Sequence, residues 1–143
     1  MECLHKNVES VDNVLVYGHV VLGAEKGSCG LVEVTSNSGN TRVAGPKDGD
    51  AHPRIAMYPF DEIWDDRHEP IDFMKIDVEG YELEVVRGAK HTIQRNKPVM
   101  VVEQKRGNAE VFGFRTTEVI DLLQTWGAKI AWIRSGDYCL TWS

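Results

Sequence analysis

The segment that most restricts what this chain can fold into is Ile71-Asp72-Phe73-Met74-Lys75-Ile76-Asp77-Val78-Glu79-Gly80-Tyr81-Glu82. An apolar run with alternating charge ends in Asp77, Glu79 and Gly80. A helical pattern begins at once, with Leu83, Val86, Ala89 and Ile93 recurring at steps of three and four. Glu82 and Glu84 fall in its first turn and Arg95 and Lys97 at its end, as the helix dipole favours. Asn96 can stop the helix, and Pro98 cannot continue it. Pro98-Val99-Met100-Val101-Val102-Glu103 then reads as a second apolar strand closed by a carboxylate. Strand, helix and strand make a βαβ unit, which crosses over right-handed and leaves its strands parallel. Their C-terminal ends therefore share one edge, where open α/β sheets take ligands. Asp77, Glu79 and Glu103 belong to that edge.

The rest of the chain reads as one domain over residues 1–143. Residues 2–10 suggest the tail of a helix, with Leu4, Val8 and Val11 on one face. Val14–Tyr17 and Val20–Leu22 are strand-like around Gly18-His19, and Gly23 to Gly30 reads as a turn. Leu31–Val34 is then a hairpin partner of the first strand. Residues 35–54, rich in Ser, Asn, Gly, Asp and Pro, make the longest loop, either a solvated surface or a lid over a substrate. Ile55–Tyr58 resumes strand character, and Phe60–Trp64 suits one helical turn. After a polar loop to Gly113, Thr116 or Thr117 can cap a helix with an apolar face of Val119, Ile120, Leu122, Leu123 and Trp126, ended by Gly127. Lys129–Ile133 is a strand, Gly136-Asp137 a two-residue hairpin turn, and Tyr138–Trp142 the returning strand. The fold expected is α/β in three layers, a mostly parallel sheet with an antiparallel last strand.

Charge and composition exclude several functions. The net charge of -6 and the lack of a basic stripe argue against nucleic-acid binding. No apolar run approaches the roughly 20 residues of a membrane span, and the first six residues do not read as a signal peptide. Cys3, Cys29 and Cys139 are odd in number, far apart and without a CxxC pair. They read as free thiols in a reducing compartment, so a cytoplasmic location is expected. Five histidines lie in five separate segments without metal-ligand spacing. No GxSxG, HExxH or phosphate-binding glycine loop is present. The carboxylate edge remains. Two or three carboxylates within reach can hold a divalent cation, and one can serve as a general base. Lys75, two residues before Asp77, points the same way from the strand and can pair with it. The plainer reading has Asp77 capping the following helix, with Lys75 and Glu79 solvated.

The run from Ile71 to Ala89 resembles the signature of the FkbM-type methyltransferases, and Asn96 to Glu103 fits the strand that follows it there. Leu4-His5-Lys6-Asn7-Val8 is similar to the helix before that family's third strand. Val20-Val21-Leu22-Gly23 resembles the strand's end, Ser38-Gly39-Asn40-Thr41 the loop beyond it, and Phe60-Asp61-Glu62-Ile63 the turn before the fourth strand. The resemblance implies a Rossmann-like fold and S-adenosylmethionine-dependent methylation, O-directed, of a hydroxyl on a sugar or other natural product. It makes Asp77 a base or metal ligand, Glu79 and Glu103 supporting carboxylates with Glu103 a second candidate metal ligand, and Lys75 an orienting partner. It puts the adenine side of the cofactor near His19 and Val20, with Asp77 at the reacting end.

The family's Gly-rich strand and loop, and the strand ending in a ribose-binding acid, have no counterpart in these residues. The cofactor pocket is therefore expected to be incomplete, and one long side of the Ile71–Asp77 strand to lack its partners. Either the 14–22 strand moves in beside it, or a second copy or a partner chain completes the sheet, or the edge stays open and the protein is fragile. The alternatives to a methyltransferase are a non-catalytic or partner-dependent remnant of the fold, and a metal-dependent enzyme that uses the carboxylate edge without that cofactor.

Overall fold

A computed structural model describes residue 8, residue 11 and residues 13–33, 41–64 and 69–142. The expected helix over residues 2–10 lies mostly outside them, as do Cys3, His5, His68 and the Ser38–Asn40 part of the loop.

In chain order the elements are β1 (Val20–Leu22), β2 (Gly27–Glu33), β3 (Thr41–Val43), β4 (Arg54–Tyr58), α1 (Phe60–Ile63), β5 (Phe73–Ile76), α2 (Glu82–Gly88), α3 (Lys90–Asn96), β6 (Val99–Glu103), a 3-10 turn (Ala109–Phe112), α4 (Glu118–Thr125), β7 (Ala128–Arg134) and β8 (Asp137–Trp142). The fold is mixed α/β, but the strands form two four-stranded sheets, ordered β1-β4-β2-β3 and β5-β6-β8-β7. Each holds one parallel pair, β1 with β4 and β5 with β6, and its other pairs are antiparallel. This corrects the expectation of a single, mostly parallel sheet. The parallel βαβ unit forms as read, with Ile76 level with Val102. The last strand is antiparallel as read, and it inserts between β6 and β7.

The first sheet departs most from the sequence reading. Residues 14–17 are not a strand, and β1 neither pairs with β2 nor moves in beside β5; its ladder is with β4. The segment read as a turn is half strand: Gly27–Gly30 pair with Arg54–Met57, and Leu31–Glu33 with Thr41–Val43. The expected long loop therefore carries β3.

The single helix expected over 82–97 is broken at Ala89. Gly88 lies so close to the backbone of Gly23 that a Cβ there would collide with the Gly23 carbonyl. The N–H groups of His91 and Thr92, in the first turn after the break, donate to the Asp61 carboxylate at 2.8 and 2.9 Å. A residue from α1 thus caps α3, which stabilises the break. Lys97, with φ 49°, ends α3. Thr117 stands at the start of α4 but gives no side-chain cap; the Glu118 carboxylate instead accepts from Arg115 N–H at 3.0 Å. The β7–β8 turn is Ser135-Gly136, one residue earlier than read. Both residues have positive φ (53° and 95°), as the favoured two-residue hairpin turn requires.

The core lies between the second sheet and its helices. Ile76, Met100, Val102 and Leu140 from the strands pack with Leu83, Val86, Ile93 and Leu123 from α2, α3 and α4. Each large apolar side chain buried here contributes about 1.5–3 kcal/mol. Phe73, Val99 and Trp132 alternate away from this core and stay exposed, at 58%, 40% and 46%. No helix among the described residues is long and apolar enough to cross a membrane.

Candidate active site

Parallel register decides where the carboxylates meet. Because Ile76 is level with Val102, the next residues, Asp77 and Glu103, leave their strands side by side. Glu79 follows on the turn, and oxygens of Asp77, Glu79 and Glu103 all lie within 4.8 Å of one another. Lys75 Nζ bonds Asp77 Oδ2 at 3.1 Å. Lys105 Nζ lies 2.9 Å from Glu103 Oε2, an ion pair that leaves this buried oxygen without a directed hydrogen bond. Asp77 raises the Lys75 ammonium pKa, with Asp137 and Glu103 adding to the effect. Glu103, then Glu79 and Asp77, do the same for Lys105. The rim is thus acidic, with a lysine on each flank.

The turn that carries Asp77 and Glu79 is held from inside. Glu79 and Gly80 both have positive φ, 54° and 102°. A Cβ on Gly80 would run into the backbone of Asn108 and Ala109, so only glycine allows the 3-10 turn this close. Glu82, 3% exposed, folds its carboxylate back under the turn and accepts from Val78 N–H at 3.1 Å and Gly80 N–H at 3.0 Å. Burial pushes its pKa up against those two bonds, and the charge of Glu103 adds to the rise. Asn108 donates to Glu79 Oε2 at 2.9 Å and aims that side chain. Glu82 thus braces the turn rather than the helix, whose N-cap, Tyr81, makes no side-chain cap bond, and Asp77 is left to the rim.

A cavity of about 480 Å³ opens beside the rim. Asp77, Val78 and Glu79 line it together with Thr41, Arg42 and Val43, and Val20–Leu22, Leu31 and Tyr81 complete the lining. Arg42 is already engaged, bidentate to Asp48 at 2.7 and 2.9 Å. Val20 therefore lies where a ligand could touch it. His19 does not line this cavity; it is exposed, at φ 61°, just before β1.

Two further residues belong to the rim and were not legible as such. Asp137, opposite Glu103 in the β6–β8 ladder, has a buried Oδ1 without a hydrogen-bond partner among the described residues. The sequence placed it in the turn; shifting the turn by one residue turns it into a ladder residue. Lys105 looked like part of a polar loop, and only its proximity to three acids gives it a place.

The Methyltransferase FkbM domain family model matches residues 5–130. The chain belongs to the FkbM methyltransferase family. Among solved structures, it is similar to the methyltransferase FkbM from Methylobacillus flagellatus KT, with 20% identity and a TM-score of 0.53. The match covers 99% of this chain and 32% of that one, so the chain spans about a third of that protein's length, and the likeness concerns the fold. No curated protein matches the chain. In this FkbM domain the signature Ile71–Ala89 is the strand, turn and helix that build the carboxylate rim.

Proposed function

We propose that this FkbM domain serves S-adenosylmethionine-dependent methyl transfer to a hydroxyl group of a sugar or other natural product. The observation that carries the proposal is the meeting of Asp77, Glu79 and Glu103 within 4.8 Å at the mouth of a cavity, in a chain of this family. The lining suits the cofactor. Val20, Val21 and Leu22 offer an apolar wall to a purine, and the acidic rim favours a sulfonium cation. The cofactor, when bound, supplies the methyl group.

The chain's own residues do the rest. Asp77, the outermost of the three, accepts the proton of the acceptor hydroxyl. Lys75 holds the Asp77 carboxylate in place through their 3.1 Å bond. Glu79, aimed by Asn108, and Glu103 keep the rim negative and fix how the acceptor hydroxyls approach. Holding the reactants in near-attack geometry supplies much of the rate in such transfers.

The test is transfer of an isotopically labelled methyl group to a panel of glycans and hydroxylated natural products, read by mass spectrometry. Asp77→Asn should lower the rate about 100-fold or more, with the circular dichroism unchanged. An Asp77→Asn rate equal to wild type removes Asp77 from the chemistry. Calorimetry on the isolated chain should show weak cofactor affinity, because residues 1–143 read as holding no counterpart of the family's Gly-rich strand and ribose-binding acid. A low-micromolar dissociation constant, about -8 kcal/mol, would show the pocket to be complete. Absence of both transfer and binding favours the non-catalytic or partner-dependent reading.

A second reading rests on the same oxygens, whose separations fit a divalent cation with carboxylate ligands at roughly 2.0–2.6 Å. Turnover that requires magnesium and proceeds without S-adenosylmethionine would select it.

A further inference from the structure

A cavity of about 420 Å³ lies among β2, β4 and the loop that joins β3 to β4, and no residue of β1 or β5 lines it. Val43 and Tyr81 line both this cavity and the one beside the carboxylate rim, so the two adjoin. Arg54 of β4 belongs to the lining and is exposed. One side of its guanidinium is held. Nε donates to Ser28 Oγ at 3.2 Å, and Nη2 donates to Ser28 Oγ at 2.9 Å and to the Ser28 carbonyl at 2.6 Å. These partners are neutral. Arg42, Arg87 and Arg115 each pair with a carboxylate. Arg54 has no acid within ion-pair distance among the described residues, and its Nη1 has no hydrogen-bond partner there. Its charge is felt inside the cavity: burial raises the pKa of the Cys29 thiol, and Arg54 works against that rise. Asp50 and His52 add polar groups to the lining. The His52 Nε2–H donates to the Asp48 carbonyl at 3.1 Å, which leaves Nδ1 to accept. Val43 and Met57 supply apolar surface.

We propose that this cavity is the acceptor subsite and that it selects a sugar bearing an anionic group, a carboxylate or a phosphate, which Arg54 binds. The inference rests on the methyl-transfer reading above and narrows its substrate class. Three observations select this ligand. An arginine oriented by neutral oxygens keeps its charge for a ligand, and a guanidinium bonds a carboxylate or phosphate about twice as strongly as neutral groups bond each other. The rest of the lining suits a sugar ring better than a bare ion. Asp50 and His52 Nδ1 accept from ring hydroxyls, Asp50 repels a small free anion, and Val43 and Met57 meet the apolar face of the ring. The third observation is continuity. Because Val43 and Tyr81 belong to both cavities, one acceptor can keep its anionic group on Arg54 and extend a hydroxyl past Tyr81 toward the rim. Arg54 is thus a specificity-determining residue, and Ser28 positions it.

Backbone amide shifts in NMR spectra of the chain, titrated without cofactor, test the proposal. The probes are glucuronate, glucose-6-phosphate, glucose and inorganic phosphate, compared at equal ionic strength. Glucuronate or glucose-6-phosphate should shift the Ser28, Gly30, Gly45 and Arg54 amides at millimolar concentration. Glucose and inorganic phosphate should bind at least about tenfold more weakly, the loss expected when a charge-assisted bond is removed. The tighter of the two charged sugars tells carboxylate from phosphate. Arg54→Gln should weaken that sugar about tenfold or more, and Arg54→Lys, which keeps the charge but not the fork, should weaken it less. Four results overturn the proposal: no shift at these amides with either charged sugar, glucose binding as tightly as they do, inorganic phosphate binding as tightly, or Arg54→Gln binding like wild type. Labelled methyl transfer to the same sugars separates this inference from the reading beneath it. Transfer to glucose with no preference for its charged relatives sinks the subsite and leaves methyl transfer standing. Arg54-dependent binding of a charged sugar with no transfer keeps the subsite and sinks the methyl-transfer reading.

Discussion

Two segments line the cavity beside the rim, and each of these walls is pinned by one acid in an opposite manner. On the Asp77–Gly80 wall the pin is Glu82, buried under the turn and bonded to two backbone N–H groups. On the Thr41–Val43 wall it is Asp48, half-buried, bonded to Arg42 and to Gly45 N–H at 2.7 Å. Burial raises the Glu82 pKa. The Arg42 hydrogen bonds, with Gly45 N–H helping, lower Asp48 to about 2. The lesson is that backbone N–H groups alone do not outweigh desolvation, whereas a guanidinium partner near solvent does. The Asp77 wall is fixed by geometry that water does not reach. The Arg42 wall is fixed by a charge pair that salt can loosen.

The contrast would fail at once if the buried wall proved tolerant. Gly80→Ala forces a side chain into positive φ and into the Asn108 backbone, so it should cost the most, about 3 kcal/mol or more, in urea denaturation. A loss under about 1 kcal/mol would show that the 3-10 turn yields. Glu82→Ala comes next. It strips the partner from two N–H groups at a buried site, for about 2–3 kcal/mol, and Glu82→Gln, which keeps an acceptor oxygen, should lose less. Arg42→Ala should cost less than either, and the gap between it and wild type should narrow as salt is raised; a gap indifferent to salt would make Arg42 a packing residue.

The smallest effect is the most specific, because the two acids have opposite pH signs. Asp48 is depressed in the folded chain, so its contribution is present above its unfolded value of about 3.9 and fades as pH falls through about 2. Glu82 is raised, so its contribution is complete below its unfolded value of about 4.3 and fades as pH rises through the elevated folded one. Stability compared with Asp48→Asn should therefore fall on acidification, and stability compared with Glu82→Gln should rise. Equal slopes would mean that the two pins are alike after all.

How much of this could be read in advance depends on how local the cause is. The rim of Asp77, Glu79 and Glu103 follows from strand polarity across one crossover, a short-range rule. The break at Ala89 could not be read, because the residue that caps α3, Asp61, belongs to another element. Glu82 looked like an ordinary first-turn acid; its burial under the turn depends on the chain folding over it. The role of Asp137 turned on a one-residue shift of a hairpin, and in a strand such a shift reverses every side chain. His19, near in sequence to Val20, does not line the same cavity, because its exposed position before β1 depends on how that strand enters the sheet.

By itself the sequence determined the β5–turn–α2 signature, its family, and the polarity that gathers three carboxylates, because alternation, glycine and helix periodicity act between near neighbours. Only the tertiary structure decided that there are two mixed sheets and that β2 chooses β3 and β4. Strand edges carry nearly identical backbone groups, so pairing between distant strands is settled by which side chains pack together.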